Sequence, residues 1–175
     1  QLAAEGDFVA LWAPNVGEWP LIQYGAALAG VVLVALNPVL TQNELEYALE
    51  HSGATVLIHA DRSRGYDMAE VVALVAASLP DLRVVSLSER ASWRSDSTSC
   101  GTLAGVPQHA DLPVMLQYTS GTTGKPKGVL LRHRSLINVA KLTLDYVGVQ
   151  SGSVCVNPLP MFHTAACVIG TLGPM

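Results

Sequence analysis

Residues 31–60 read VVLVALNPVLTQNELEYALEHSGATVLIHA, and the fold follows from their order. Val31 to Leu36 is an unbroken apolar run rich in β-branched residues and closed by Asn37 and Pro38, as in a strand covered on both faces. Thr41, with Glu44 three residues later, forms a capping box ahead of Leu45, Ala48 and Leu49, whose spacing is helical, and Gly53 supplies the stop. Ala54 to His59 is a second apolar run. Strand, helix and strand in so short a span form the repeating unit of a parallel sheet.

The alternation extends in both directions. Upstream, Phe8 to Trp12 predicts a strand ended by Pro14, and Asn15 with Glu18 offers a capping-box-like start to a helix carrying Trp19, Ile22, Ala26 and Ala29 up to Gly30. Pro20 falls within the first turns and deletes a hydrogen bond there, so that helix is expected to start late or bend. Downstream, Met68, Val71, Val72 and Val75 predict a helix over Tyr66 to Leu79, and Leu82 to Leu87 predicts a strand after Pro80. The expectation is an α/β fold with a doubly wound, mostly parallel sheet. Trp19 to Leu36 is 18 residues without a charge, about the span of a bilayer. Pro20, Gly25 and Gly30 interrupt it and no Lys or Arg flanks it, so we expect a buried helix and strand and no stable membrane insertion.

The chain has 175 residues, half of them hydrophobic, enough for a sizeable core. Its net charge of −4 is unevenly spread: residues 1–111 carry 5 basic and 13 acidic side chains, whereas residues 112–175 carry 5 and 1. All five late cations lie between Lys125 and Lys141. An acidic chain with one local cationic stretch is a poor match to nucleic acid and a better one to a small phosphorylated ligand. Ser88 to Asp111 turns polar without either periodicity, so we expect an α/β subdomain over 1–111, with a connection at 88–111, and the start of a second, incomplete subdomain over 112–175. Cys100, Cys155 and Cys167 lack Cys-x-x-Cys spacing, and no charged n-region opens the chain, so a reducing cytoplasm is the expected location. The five histidines show no zinc-ligand spacing.

The chemistry concentrates further on. Val114 to Tyr118 and Gly128 to Leu131 predict two strands, joined by Thr119, Ser120, Gly121, Thr122, Thr123, Gly124, Lys125, Pro126 and Lys127; Ser135 then caps a helix ending near Gly148. Glycines let successive N–H groups turn into one concavity, and hydroxyls and ammonium groups add donors to phosphate oxygens. Each charge-assisted bond of this kind contributes about 1.5–3 kcal/mol, so several together could hold a triphosphate. The common phosphate loop of NTPases needs four residues between its glycines and a hydroxyl after its Lys; here two separate Gly121 from Gly124, and Pro126 follows Lys125. A strand-loop-strand grip is expected instead of a loop leading into a helix. Ser120 lacks the preceding glycine of a nucleophile elbow, which argues against a hydrolase. On composition alone, a solvated hairpin loop and a phosphate cradle remain equally open.

The string Thr119 to Gly128 resembles, almost letter for letter, the signature of the adenylate-forming superfamily: acyl-CoA synthetases, luciferases and the adenylation domains of peptide synthetases. The likeness extends through Asn15 with Glu18 and Trp19, Leu36 to Thr41 with Glu44, His51 to Ala54, and Pro160 to His163. It is most like an acyl-CoA synthetase. The resemblance implies that Thr119 to Lys127 wraps the β- and γ-phosphates of ATP, with the Thr119 hydroxyl a Mg²⁺ contact and Lys127 a phosphate ligand. It also implies that His163 lies near the acyl and pantetheine channel. Lys127 and His163 are thereby the candidate catalytic residues, with ATP, Mg²⁺ and coenzyme A as cofactors and a fatty or other apolar carboxylic acid as partner. The family's later acidic motif, ribose-binding Asp and C-terminal catalytic Lys have no counterpart here, so we expect an N-terminal-domain fragment of the enzyme, inactive alone. Arg132 stands where the family usually has Thr, and Ala165 where several relatives carry an aromatic residue. An amino-acid-activating adenylation domain and a catalytically silent nucleotide-binding module remain as alternatives.

Overall fold

The apolar runs become the middle of one sheet. In the computed structural model, which describes residues 3–89, 109–119 and 125–174, β1 (Phe8–Trp12), β2 (Val32–Leu36) and β3 (Val56–His59) lie side by side in parallel, with β2 and β3 buried at every residue. β6 (Arg83–Ser86) extends the sheet beyond β3 in the same sense, and β7 (Pro113–Thr119) extends it beyond β2. β8 (Lys127–Arg132) then returns antiparallel to β7. The order β6-β3-β1-β2-β7-β8 is therefore a parallel α/β sheet with one antiparallel strand, as expected. It runs unbroken across residue 111, so strands from both predicted subdomains share it; the connection itself lies largely outside the described residues.

The helices follow their local signals with three corrections. α2 (Gln42–Ser52) carries the predicted capping box, in which Thr41 N and Oγ1 donate to Glu44 Oε2 at 2.8 and 2.7 Å; it stops at Gly53 in the left-handed conformation. α1 (Glu18–Leu28) is not capped by Asn15. Its cap residue is Gly17, with no side-chain bond, because the Asn15 amide is occupied elsewhere. Pro20 falls at the third helical position, where the N–H has no intrahelical acceptor, so the helix tolerates it. The helix after β8, α4 (His133–Val147), begins two residues before Ser135 with Arg132 at the cap, and ends at left-handed Gly148. Between β3 and α3 (Met68–Ser78), a small hairpin of β4 (Arg62–Ser63) and β5 (Tyr66–Asp67) takes the first two residues predicted as helix, and Asp67 caps α3 by accepting from Glu70 N at 3.1 Å.

The β1-to-β2 and β2-to-β3 connections run in opposite directions across the sheet, which by the right-handed crossover rule assigns their helices to opposite faces. α2 packs with α3, while α4 packs with a π-helix at Ala165–Leu172 that also meets α1. Trp12, Trp19, Leu33, Leu57 and Met115 are almost fully buried in the single core. Trp12 Nε1 donates to Asn37 O at 2.8 Å, tying the C-terminal ends of β1 and β2 together. The uncharged stretch over Trp19 to Leu36 is α1 and β2, and no helix among the described residues is long and apolar enough to cross a membrane.

Candidate functional site

Ligands of open α/β sheets gather outside the carboxyl ends of the strands. There, a cleft of about 950 Å³ opens between the ends of β2 and β7, the first half of α2, and residues 162–164. β2 brings Leu36 and then Asn37; α2 brings Asn43, Glu44 and Tyr47; β7 brings Gln117, Tyr118 and Thr119. Lys125 and Pro126 close one side, while Phe162 and His163 close another. Thr119, Lys125 and His163, separate candidates in the sequence, thus border one space.

The two strands of the strand-loop-strand element pair as expected. The β7–β8 ladder ends at the pair Thr119 and Lys127, where Thr119 Oγ1 donates to Lys127 O at 3.4 Å. That bond is long, and Thr119 is exposed, so its hydroxyl can accept or coordinate from the cleft side. Lys127 is exposed at the same rung but does not line the cleft; Lys125 does, its Nζ lying 5.5 Å from the centroid of the Tyr47 ring. Ser120, Gly121, Thr122, Thr123 and Gly124 fall outside the described residues.

His163 is held by its own segment and by amides from afar. Its Nδ1 accepts from Ala165 N at 3.3 Å, which leaves the proton of the neutral ring on Nε2. Asn15 grips the preceding segment from both sides: Nδ2 donates to Leu159 O and Oδ1 accepts from Met161 N, each at 2.8 Å. Buried Gln117 donates from Nε2 to Phe162 O at 3.1 Å, and buried Gln23 donates to Cys167 O at 2.9 Å. Sequence reading missed Asn15 and Gln117 in these roles, because their partners lie up to 146 positions away. The family-like Asn15 string is the available signal, although its spacing to Glu18 also fits a helix cap.

The described lining of the cleft carries one ammonium group, Lys125, and one carboxylate, Glu44. Glu44, the carboxylate of the lining, is drawn below its ordinary pKa by the Thr41 backbone N–H and hydroxyl, which also satisfy its charge. Burial pushes Tyr118 up to about 12, so it stays a neutral phenol. Among the described residues, no group of three His, Cys, Asp or Glu could hold a metal by itself. Arg134 points elsewhere, pairing bidentately with Asp111 at 3.0 and 3.2 Å and holding that carboxylate below its usual range.

The family model for "AMP-binding enzyme" matches residues 3–175. The chain belongs to the AMP-binding enzyme family. Among curated members, it is 35% identical to the long-chain-fatty-acid–CoA ligase FadD13 of Mycobacterium tuberculosis, over 93% of this chain and 32% of that protein. It is 32% identical to the putative acyl-CoA synthetase YngI of Bacillus subtilis, over 96% of this chain and 35% of that protein. This AMP-binding chain therefore spans about a third of the length of the relatives it matches. Its fold is also theirs: the ATP-bound structure of MatB from Rhodopseudomonas palustris superposes with a TM-score of 0.80 at 25% identity, covering 98% of this chain and 33% of MatB. The inhibitor-bound N-terminal domain of FACL13 from M. tuberculosis superposes at 0.74 with 30% identity, covering 98% of this chain and 43% of that one.

Proposed function

We propose that this chain supplies the triphosphate-gripping section of an AMP-forming acid–thiol ligase, which converts a fatty or other apolar acid into an acyl adenylate and passes the acyl group to coenzyme A. The observation that carries the reading is the convergence of Thr119, Lys125 and His163 on one cleft at the carboxyl end of the sheet, with the β7–β8 hairpin as its rim. Acyl-CoA ligases among the relatives support the choice of chemistry, and the apolar side chains of Leu36, Val129, Leu131 and Phe162 in the lining support an apolar acid. The free thiols of Cys155 and Cys167 agree with a reducing, cytoplasmic setting.

In this reading, Lys125 and Lys127 neutralise the phosphates so that a carboxylate oxygen can approach the α-phosphorus in line, and pyrophosphate departs with the electron pair of the broken P–O bond. The exposed Thr119 hydroxyl would be the protein contact for a Mg²⁺ ion bound with the nucleotide, a cation that is rarely caged by protein alone, which fits a site where the described residues include no group of three carboxylate, imidazole or thiol ligands. Bound there, it would lower the negative charge that the carboxylate has to meet. His163, with its proton on Nε2, would donate to the acid or the thiol.

The test is ATP–pyrophosphate exchange by the full-length protein against a panel of fatty, aromatic and amino acids. Exchange with apolar acids is expected, whereas exchange with amino acids alone would reassign the chain to peptide-type adenylation. Lys127→Ala is expected to lower exchange by at least about tenfold while leaving the melting temperature unchanged; unaltered exchange would remove Lys127 from the site.

A further inference from the structure

The rim of the hairpin is fastened to α2 by a stack of rings. Pro126 has no N–H and lies beyond the last ladder pair, so the sheet cannot hold the chain there. Its carbonyl instead accepts from the Tyr47 hydroxyl at 3.2 Å. The same Tyr47 ring lies beneath the Lys125 ammonium, within cation–π range at 5.5 Å. One turn along α2, His51 stacks on Tyr47 with ring centroids 5.4 Å apart. Its Nδ1–H donates to the Tyr118 hydroxyl at 3.2 Å, and Tyr118 in turn donates to Ala48 O at 2.8 Å. Gly128 completes the fit, since a Cβ at that position would come within 3.3 Å of His51 Cε1. Both strands flanking the phosphate-binding stretch are thus tied to the same helical face, by rings at i and i+4.

We infer that Tyr47 is a positioning residue for nucleotide: its hydroxyl fixes the Pro126 carbonyl and its ring fixes the Lys125 ammonium, so the cationic rim of the cleft is ordered before ATP arrives. Preorganisation of this kind lowers the ordering cost of binding. It acts on ATP and not on the acid, because Tyr47 holds the rim. The inference rests on the phosphate-binding reading of the hairpin, and the experiment separates the two.

In the full-length protein, Tyr47→Phe removes the hydroxyl and keeps the ring, whereas Tyr47→Leu removes both. Pyrophosphate exchange is measured with ATP varied at saturating acid and then with acid varied at saturating ATP, beside Lys127→Ala. Tyr47→Phe is expected to raise KM for ATP about threefold to tenfold, the effect of one lost hydrogen bond, with kcat and KM for the acid unchanged; Tyr47→Leu is expected to raise it further. A residue with a merely structural role would instead reduce the active fraction and leave both KM values alone, and that result overturns the inference. An unchanged KM for ATP in Tyr47→Phe overturns it as well, even if Tyr47→Leu fails to fold. The tether has its own readout in trypsin cleavage after Lys127, which is expected to accelerate in Tyr47→Phe. Should Lys127→Ala leave exchange intact, the phosphate reading fails, and accelerated cleavage would still show Tyr47 holding the rim.

Discussion

Residues 8–87 and residues 113–174 share one sheet but not one kind of surface. In the first region β2 and β3 are covered along their whole length, and α2 and α3 turn Leu45, Leu49, Met68, Val72 and Val75 inward. In the second, only the four residues Val114 to Gln117 of β7 are buried, and β8 buries none of its residues. α4 leaves Ile137, Leu142 and Tyr146 at 53%, 66% and 92% exposure, and Val154 and Val156 stand at 92% and 83%. The difference teaches that the first region is complete around its central strands, with Leu21 and Val39 exposed on its outer surface, whereas the second leaves a whole strand uncovered and presents apolar surface of the kind that further protein covers. The cleft lies where the two meet, its floor taken from the complete region and its rim from the open one.

The largest test of that contrast is in the core. Leu57→Ala, at a fully buried position of β3, is expected to cost about 2–5 kcal/mol, enough to unfold much of the population in urea titrations. Leu142→Ala, on the exposed face of α4, is expected to stay within about 0.5 kcal/mol. Equal losses at the two sites would show that the second region packs as tightly as the first.

Asn15 sharpens the comparison because it crosses the divide. It belongs to the segment after β1, yet both ends of its amide hold Leu159 and Met161. Asn15→Ala removes two hydrogen bonds and is expected to cost about 1–3 kcal/mol, concentrated in the second region. Hydrogen exchange should quicken at Met161 and through the π-helix while β1 to β3 keep their protection. Uniform loss of protection would mean that the regions unfold as one unit.

These two sites also mark how far the sequence could be read. The strands and helices of the first region were legible because each carries its own signal, such as the Thr41–Glu44 box or the β-branched run into Leu36, and local signals suffice where both faces are covered. Asn15 was misread because a capping pattern is a local rule, and the winning partner lay 146 residues away. The hairpin was legible from composition and spacing, and its antiparallel register followed. The cleft wall was not: Tyr47 and Gln117 look like ordinary helix and strand residues until the fold brings Pro126 and Phe162 against them. The i, i+4 pairing of Tyr47 with His51 was the one local hint that α2 turns a second, polar-edged face toward something.

A smaller effect is expected from the apolar surface itself. At micromolar concentration the 175-residue chain should bind a hydrophobic dye and self-associate, and Val154→Asp with Val156→Asp should reduce both signals without lowering stability, since neither side chain is packed. Sedimentation of the two proteins side by side checks it; identical association would place the sticky surface elsewhere.

The finest probe is pH, acting through His133 at the start of α4. Its ring lines a small cavity of about 80 Å³ beside Gln23, Tyr24 and Leu136, and burial lowers its pKa from the ordinary 6.5. Above 6.5 the imidazole is neutral whether the chain is folded or not, and contributes no pH dependence. As the pH falls below 6.5, the unfolded chain takes up a proton that the folded one resists; the unfolded state then binds more protons, and stability declines until the folded ring protonates too. The carboxylates lowered by their partners, Glu44, Asp61 and Asp111, act in a separate and more acidic window, losing their contribution as the pH drops from about 4 through their folded values. Urea midpoints should therefore decline more steeply just below 6.5 in the native chain than in His133→Gln, with both curves falling near pH 4. Because His133 sits under the open region, hydrogen exchange in α4 should respond before exchange in β1 to β3, and a simultaneous response would show that the complete layer depends on the open one for its stability.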